Sequence, residues 1–94
     1  IGYYALKVNT TGANNVGVGA SALGANTTAS GNTAIGYYAL TTATTATGNT
    51  AVGNLALNLT TASQNTAVGD QALEVTSTGD SNTAVCIKCK HNCI

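Results

Sequence analysis

The sequence contains no proline, methionine, tryptophan or phenylalanine, and only 6% of its 94 residues are charged. Without Phe, Met or Trp, the chain cannot build the large-residue core of an ordinary globular domain, and its interior must come from Ala, Val, Leu, Ile and Gly. With three basic residues in all, it has no patch to neutralise phosphates, and no nucleic-acid partner is expected. The three acidic residues, Asp70, Glu74 and Asp80, are scattered, so neither a calcium cluster nor a paired-carboxylate catalyst is in view. No apolar run is long enough for a membrane-crossing helix, and no membrane insertion is expected. The chain opens on Ile1 and reads as a piece of something longer.

What the chain does contain is a repeat. The phrase Asn-Thr-Ala-aliphatic begins at Asn32, Asn49, Asn65 and Asn82, with a looser copy at Asn15. The period is seventeen, and one step is a residue short, before Gln64. The aliphatic column runs Ile1, Val18, Ile35, Val52, Val68, Val85. Glycine follows it at Gly2, Gly19, Gly36, Gly53 and Gly69, and Cys86 stands at the last copy. An Ala-Leu pair closes the motif, giving a leucine column of Leu6, Leu23, Leu40, Leu57 and Leu73.

Seventeen residues are too few for a two-helix repeat, and Thr, Val and Gly abound where helix-favouring charged residues are scarce. Short strands joined by tight bends fit the unit, each pairing in parallel with the coil above. The fold class expected is therefore all-β, a parallel β-solenoid of about five 17-residue coils, roughly 24 Å tall at about 4.8 Å per coil. Residues 1–85 form the solenoid and 86–94 a Cys-rich terminal segment. The aliphatic and leucine columns are expected to form the core ladder, and the Asn column to stack side chain on side chain. The variable letters between Gly and Ala face outward. They include Tyr3, Tyr4, Tyr37 and Tyr38, the candidate binding surface, which could equally be ledges packed against a neighbouring chain.

The phrases NTAIGYYAL, NTAVGNLAL and NTAVGDQAL resemble the head repeats of trimeric autotransporter adhesins, and still more the NTAVGxxAL repeats of bacterial surface proteins and of phage and virus fibres. The resemblance covers residues 1–85. It implies a left-handed parallel β-roll and a homo-oligomer, with three chains around a common axis. It also implies an extracellular place, on a cell surface or a virion fibre, and a host or surface receptor. The seventeen-residue coil is longer than is usual in the adhesins. End-to-end stacking into a filament would satisfy the same columns.

The final copy starts as NTAV and then gives CIKCKHNCI. All three cysteines, Cys86, Cys89 and Cys93, and the single His91 lie here. The Cys-x-x-Cys lacks the adjoining His of a haem attachment site and the βαβ setting of a thioredoxin-like pair. A zinc set of Cys86, Cys89, His91 and Cys93 has the right donors at cramped spacing. Disulfides within or between chains are the other reading. No cofactor is expected.

Asn9, Asn26 and Asn58 fit the glycosylation pattern, as chance allows in a chain rich in Asn and Thr. The function expected is a stiff, self-assembling structural or adhesive fibre module, not an enzyme. The alternative is an ice-binding solenoid with a Thr-rich face. That alternative needs Thr-x-Thr on one side in successive coils, which the coil with Thr42, Thr44, Thr45 and Thr47 and the coil with Thr76 and Thr78 supply, while other coils offer Asn9-Thr11, Asn26-Thr28 and Thr60-Ala62.

Overall fold

A computed structural model describes residues 1–74 and 79–89. Five three-residue strands, β1 (Val16–Val18), β2 (Thr33–Ile35), β3 (Thr50–Val52), β4 (Thr66–Val68) and β5 (Thr83–Val85), pair in parallel in sequence order. Each strand meets its copy in register, as Thr33, Ala34 and Ile35 meet Thr50, Ala51 and Val52. The chain is a β-solenoid with one strand per coil among the described residues, whose other positions are bends, turns and irregular backbone.

The bends follow from the repeat letters. After β2, Ala39 N–H donates to the Gly36 carbonyl at 3.2 Å, and the same turn recurs from Gly2, Gly19, Gly53 and Gly69. Its third residue takes a positive φ, 56° at Tyr38. The leucine two residues later does too, with φ from 47° at Leu73 to 52° at Leu23. Among the described residues, fourteen non-glycine residues have positive φ. Each such residue costs on the order of 1 kcal/mol. The stack over-determines them, because every coil is tied to the next by the same backbone bonds. Leu23, Leu40 and Leu57 N–H donate to the carbonyls of Ala39, Ala56 and Ala72 at 3.0, 3.0 and 3.1 Å.

The interior is thin. Ala34, Ala51, Ala67 and Ala84 from the strands face Leu23, Leu40, Leu57 and Leu73, with Ala22, Ala39, Ala56 and Ala72 beside them, all essentially unexposed. Asn32, Asn49 and Asn65 are fully buried among them. Their ladder differs from the side-chain stack expected. Asn32 Oδ1 accepts the backbone N–H of Asn49 at 2.8 Å, and Asn49 Oδ1 that of Asn65 at 2.9 Å. Asn32 Nδ2 donates to the Ala46 carbonyl and Asn49 Nδ2 to that of Ala62. Asn32 and Asn49 thus each satisfy two backbone groups that the sharp bend leaves without a ladder partner. The short coil loses its residue between Thr60 and Ala62: Thr60 keeps the buried place of Ala43, and Ala62 that of Ala46.

Candidate functional site

The strand alternates, and its middle residue points in. Ala34, Ala51, Ala67 and Ala84 are buried while the residues on either side are not. The aliphatic column expected in the core ladder therefore lies on the outside. Val18, Val52 and Val68 are partly exposed, and Ile1, Ile35 and Val85 are 87%, 41% and 56% exposed. The leucine column divides differently: Leu23, Leu40, Leu57 and Leu73 are buried, and Leu6 packs partly buried against them at the first coil. The physical reason is room. Opposite a leucine, the thin cross-section accepts a methyl group from the strand, and the larger aliphatic must take the other face.

The outer face of the sheet is a two-column grid. One column is Val16, Thr33, Thr50, Thr66 and Thr83, and the other Val18, Ile35, Val52, Val68 and Val85. Every row carries an aliphatic, and no row of the grid carries a charge. Tyr37 and Tyr38 rise from the bend just beyond Ile35, exposed, with ring centroids 4.4 Å apart. Tyr3 and Tyr4 stack at 4.0 Å in the corresponding bend beyond Ile1, and Lys7 Nζ sits 3.8 Å over the Tyr4 ring. The side-chain hydrogen bond with Tyr4 is the main cause that raises the Tyr3 phenol above its ordinary pKa. Between the two pairs the bend carries Ala20 and Ser21. Further along are Asn54, whose Nδ2 donates to Asp70 Oδ1 at 2.9 Å, then Gln71.

The Thr-rich segment does not make the Thr-x-Thr face. Its column of Asn9, Asn26, Ala43 and Thr60 turns inward, and Asn26, Ala43 and Thr60 are fully buried. Burial of Asn26, with Nδ2 donating to Asn9 Oδ1 at 2.9 Å, also removes it as a glycosylation acceptor in the folded chain. Thr42, Thr44, Thr45 and Thr47 are at the surface, while Thr76 and Thr78 lie outside the described residues.

Cys86 and Cys89 form a disulfide, with Cα atoms 5.7 Å apart. Two donors of the zinc set are thereby joined to each other, and a disulfide sulfur is not a thiolate ligand. His91 and Cys93 lie outside the described residues. Among the described residues no group of three or more His, Cys, Asp or Glu could hold a metal.

The signal for the outward aliphatic column was present in the motif. Within Asn-Thr-Ala-Val, Asn and Ala share one face and Thr and Val the other. Placing Asn in the interior therefore puts Val outside.

The chain matches no protein-family model, no curated protein and no solved structure.

Proposed function

We propose that this chain is a self-associating structural module, a stiff β-solenoid that packs laterally against copies of itself through the outer face of its sheet and presents the remaining bends as a repetitive surface. The observation that supports it is the uncharged aliphatic column Val18–Ile35–Val52–Val68–Val85 standing outside the fold, in register on every strand. A patch of this size is within what single proteins leave exposed, so the support comes from its regular repetition in register on every strand rather than from its area. An aliphatic centre with a tyrosine edge also has the make-up of an interface core.

The area sets the strength. Three residues by five strands present on the order of 250 Å² per copy, short of the roughly 800 Å² per partner in a stable complex. The tyrosine bends enlarge it, and each added coil adds another row. Association of this stretch alone is therefore weak and reversible, and it grows with coil number. A trimer around this face, an extracellular location and an adhesive role toward a receptor belong to the same reading and rest on the resemblance of the repeat.

Sedimentation equilibrium from low micromolar to near-millimolar protein tests the reading. A reversible oligomer of defined mass is expected, and a monomer throughout contradicts it.

A second reading is favoured by the same grid. Thr33, Thr50, Thr66 and Thr83 form a single rank beside the aliphatic one, on a different face from that expected for ice binding. Regular hydroxyl and methyl ranks are what an ordered water lattice would contact. Thermal hysteresis separates the readings: freezing-point depression beyond the colligative value requires the exposed grid, whereas a self-associating face gives none.

A further inference from the structure

The bend after the aliphatic column repeats the same positions in each coil, and these stack into a stripe along the axis. Ser21 N–H donates to the Tyr3 carbonyl at 2.8 Å and Tyr38 N–H to that of Ala20 at 2.9 Å. Leu55, Gln71 and Lys88 N–H donate to the carbonyls of Tyr37, Asn54 and Asp70, each at 2.8 Å. The leading column of the stripe therefore reads Tyr3, Ala20, Tyr37, Asn54, Asp70, one residue per coil at about 4.8 Å. Tyr3 and Tyr37 are the more exposed ring of each pair, at 71% and 54%. Tyr4 and Tyr38 back them, and the Lys7 ammonium lies over the Tyr4 ring. The two outer rings are thus supported while still open to solvent. Beyond Tyr37 the column turns polar. Asn54 Nδ2 donates to Asp70 Oδ1 at 2.9 Å, and the Asn54 carbonyl oxygen and the second Asp70 oxygen are acceptors beside that bond.

We propose that this stripe binds an extended β-1,4-linked glycan laid along the solenoid axis. The pyranose rings of such a chain have C–H faces that stack on aromatic rings and hydroxyl edges that donate to amide and carboxylate oxygens. Successive sugars are turned over, so every second one offers the same face in the same orientation. The stripe carries that alternation. Tyr3 and Tyr37 stand two coils apart, about 9.6 Å, close to the length of one disaccharide unit. Between them the short side chain of Ala20 leaves room for the intervening sugar, and Asn54 and Asp70 meet the hydroxyls of the next two. The column holds no cation, and its one charge is the Asp70 carboxylate, which suits a neutral polyhydroxyl chain and not an anionic one. This inference concerns the bends, goes beyond lateral packing of the sheet face and does not depend on it.

Titration of the isotope-labelled full chain with cellopentaose, followed by amide chemical shifts, tests it. Maltopentaose, whose α-linkages curve the chain, is the control, and circular dichroism checks the fold of each variant. Cellopentaose is expected to shift the amides of Ser21, Tyr38, Leu55 and Gln71 and to approach saturation by about 5 mM. Tyr3→Ala and Tyr37→Ala should each weaken binding by about fivefold or more, whereas Tyr3→Phe and Tyr37→Phe, which keep the ring, should stay within about twofold. Asp70→Ala should weaken it by about threefold or more. No shift by about 5 mM cellopentaose would overturn the proposal. So would folded alanine variants that bind like the wild type, or equal binding of maltopentaose. Sedimentation of the same samples reads lateral packing separately: a monomer that binds cellopentaose upholds the glycan stripe while lateral packing fails, and an oligomer that binds none overturns the stripe alone.

Discussion

Asn32 and Asn49, seventeen residues apart, are joined by a hydrogen bond from the Asn49 backbone N–H to the Asn32 side-chain oxygen, 2.8 Å long and fully buried. The same relation repeats from Asn15 to Asn32, from Asn49 to Asn65 and from Asn65 to Asn82. One side chain per coil thus carries the axial bond at the bend where the strand ladder begins. Asn49→Ala would leave the Asn65 N–H and the Ala62 carbonyl without their buried partner. At about 1–3 kcal/mol per orphaned group, the expected loss is about 3 kcal/mol, read from urea unfolding. A loss below about 1 kcal/mol would mean that water replaces the side chain.

Glycine substitutions should separate two columns. At Gly36, φ is +135° and an added Cβ would run into the Gly53 carbonyl, so Gly36→Ala should unfold the chain or cost more than about 3 kcal/mol. At Gly31, φ is +72° and the nearest atom is 4.0 Å away. Asn14, Gln64 and Ser81 fill the same column with positive φ. Gly31→Ala should therefore cost about 1 kcal/mol, and thermal melts of the two variants side by side check the contrast.

The two apolar columns should respond in opposite ways to truncation. Leu40 is fully buried, and Leu40→Ala should cost about 2–5 kcal/mol by opening a cavity. Val52 stands on the outer face, and Val52→Ala should change the stability of the dilute chain by less than about 1 kcal/mol. Denaturant titrations at low protein concentration measure both.

Tyr3 should ionise at higher pH than free tyrosine because its neutral form is held by the hydrogen bond with Tyr4. Tyr4→Phe removes the partner and should lower the Tyr3 titration midpoint, seen as phenolate absorbance between neutral pH and strong alkali. An unchanged midpoint would show that the pair does not share a proton in solution.

The architecture was legible in the sequence because a solenoid writes its contacts as columns. Residues that meet their own copies repeat their letters, so period, parallel register and the short coil could be read without a fold in hand. The side of the sheet was harder. Ala34 and Ile35 recur equally faithfully, and size alone favours the isoleucine for the core. Only the small room opposite Leu40 decides for the alanine, and that depends on the left-handed φ of the leucine, which no local propensity announces. Ile35 and Val52 repeat so faithfully without being buried because they meet their own copies along the outer grid. The disulfide was one of several readings of the terminal letters. Cys86 and Cys89 stand at the two positions that every earlier coil joins by a hydrogen bond from the Ala N–H to the Gly carbonyl.

The central claim, that the outward aliphatic grid is the surface on which copies meet, is tested most directly by one paired measurement. The mass in solution of Val52→Lys/Val68→Lys should be compared with that of the wild type at the same near-millimolar concentration, with circular dichroism on both. The account predicts an oligomer for the wild type and a monomer of unchanged solenoid spectrum for the variant, because two ammonium groups on the grid cannot be buried unpaired. Equal masses, whether both monomer or both oligomer, would contradict it.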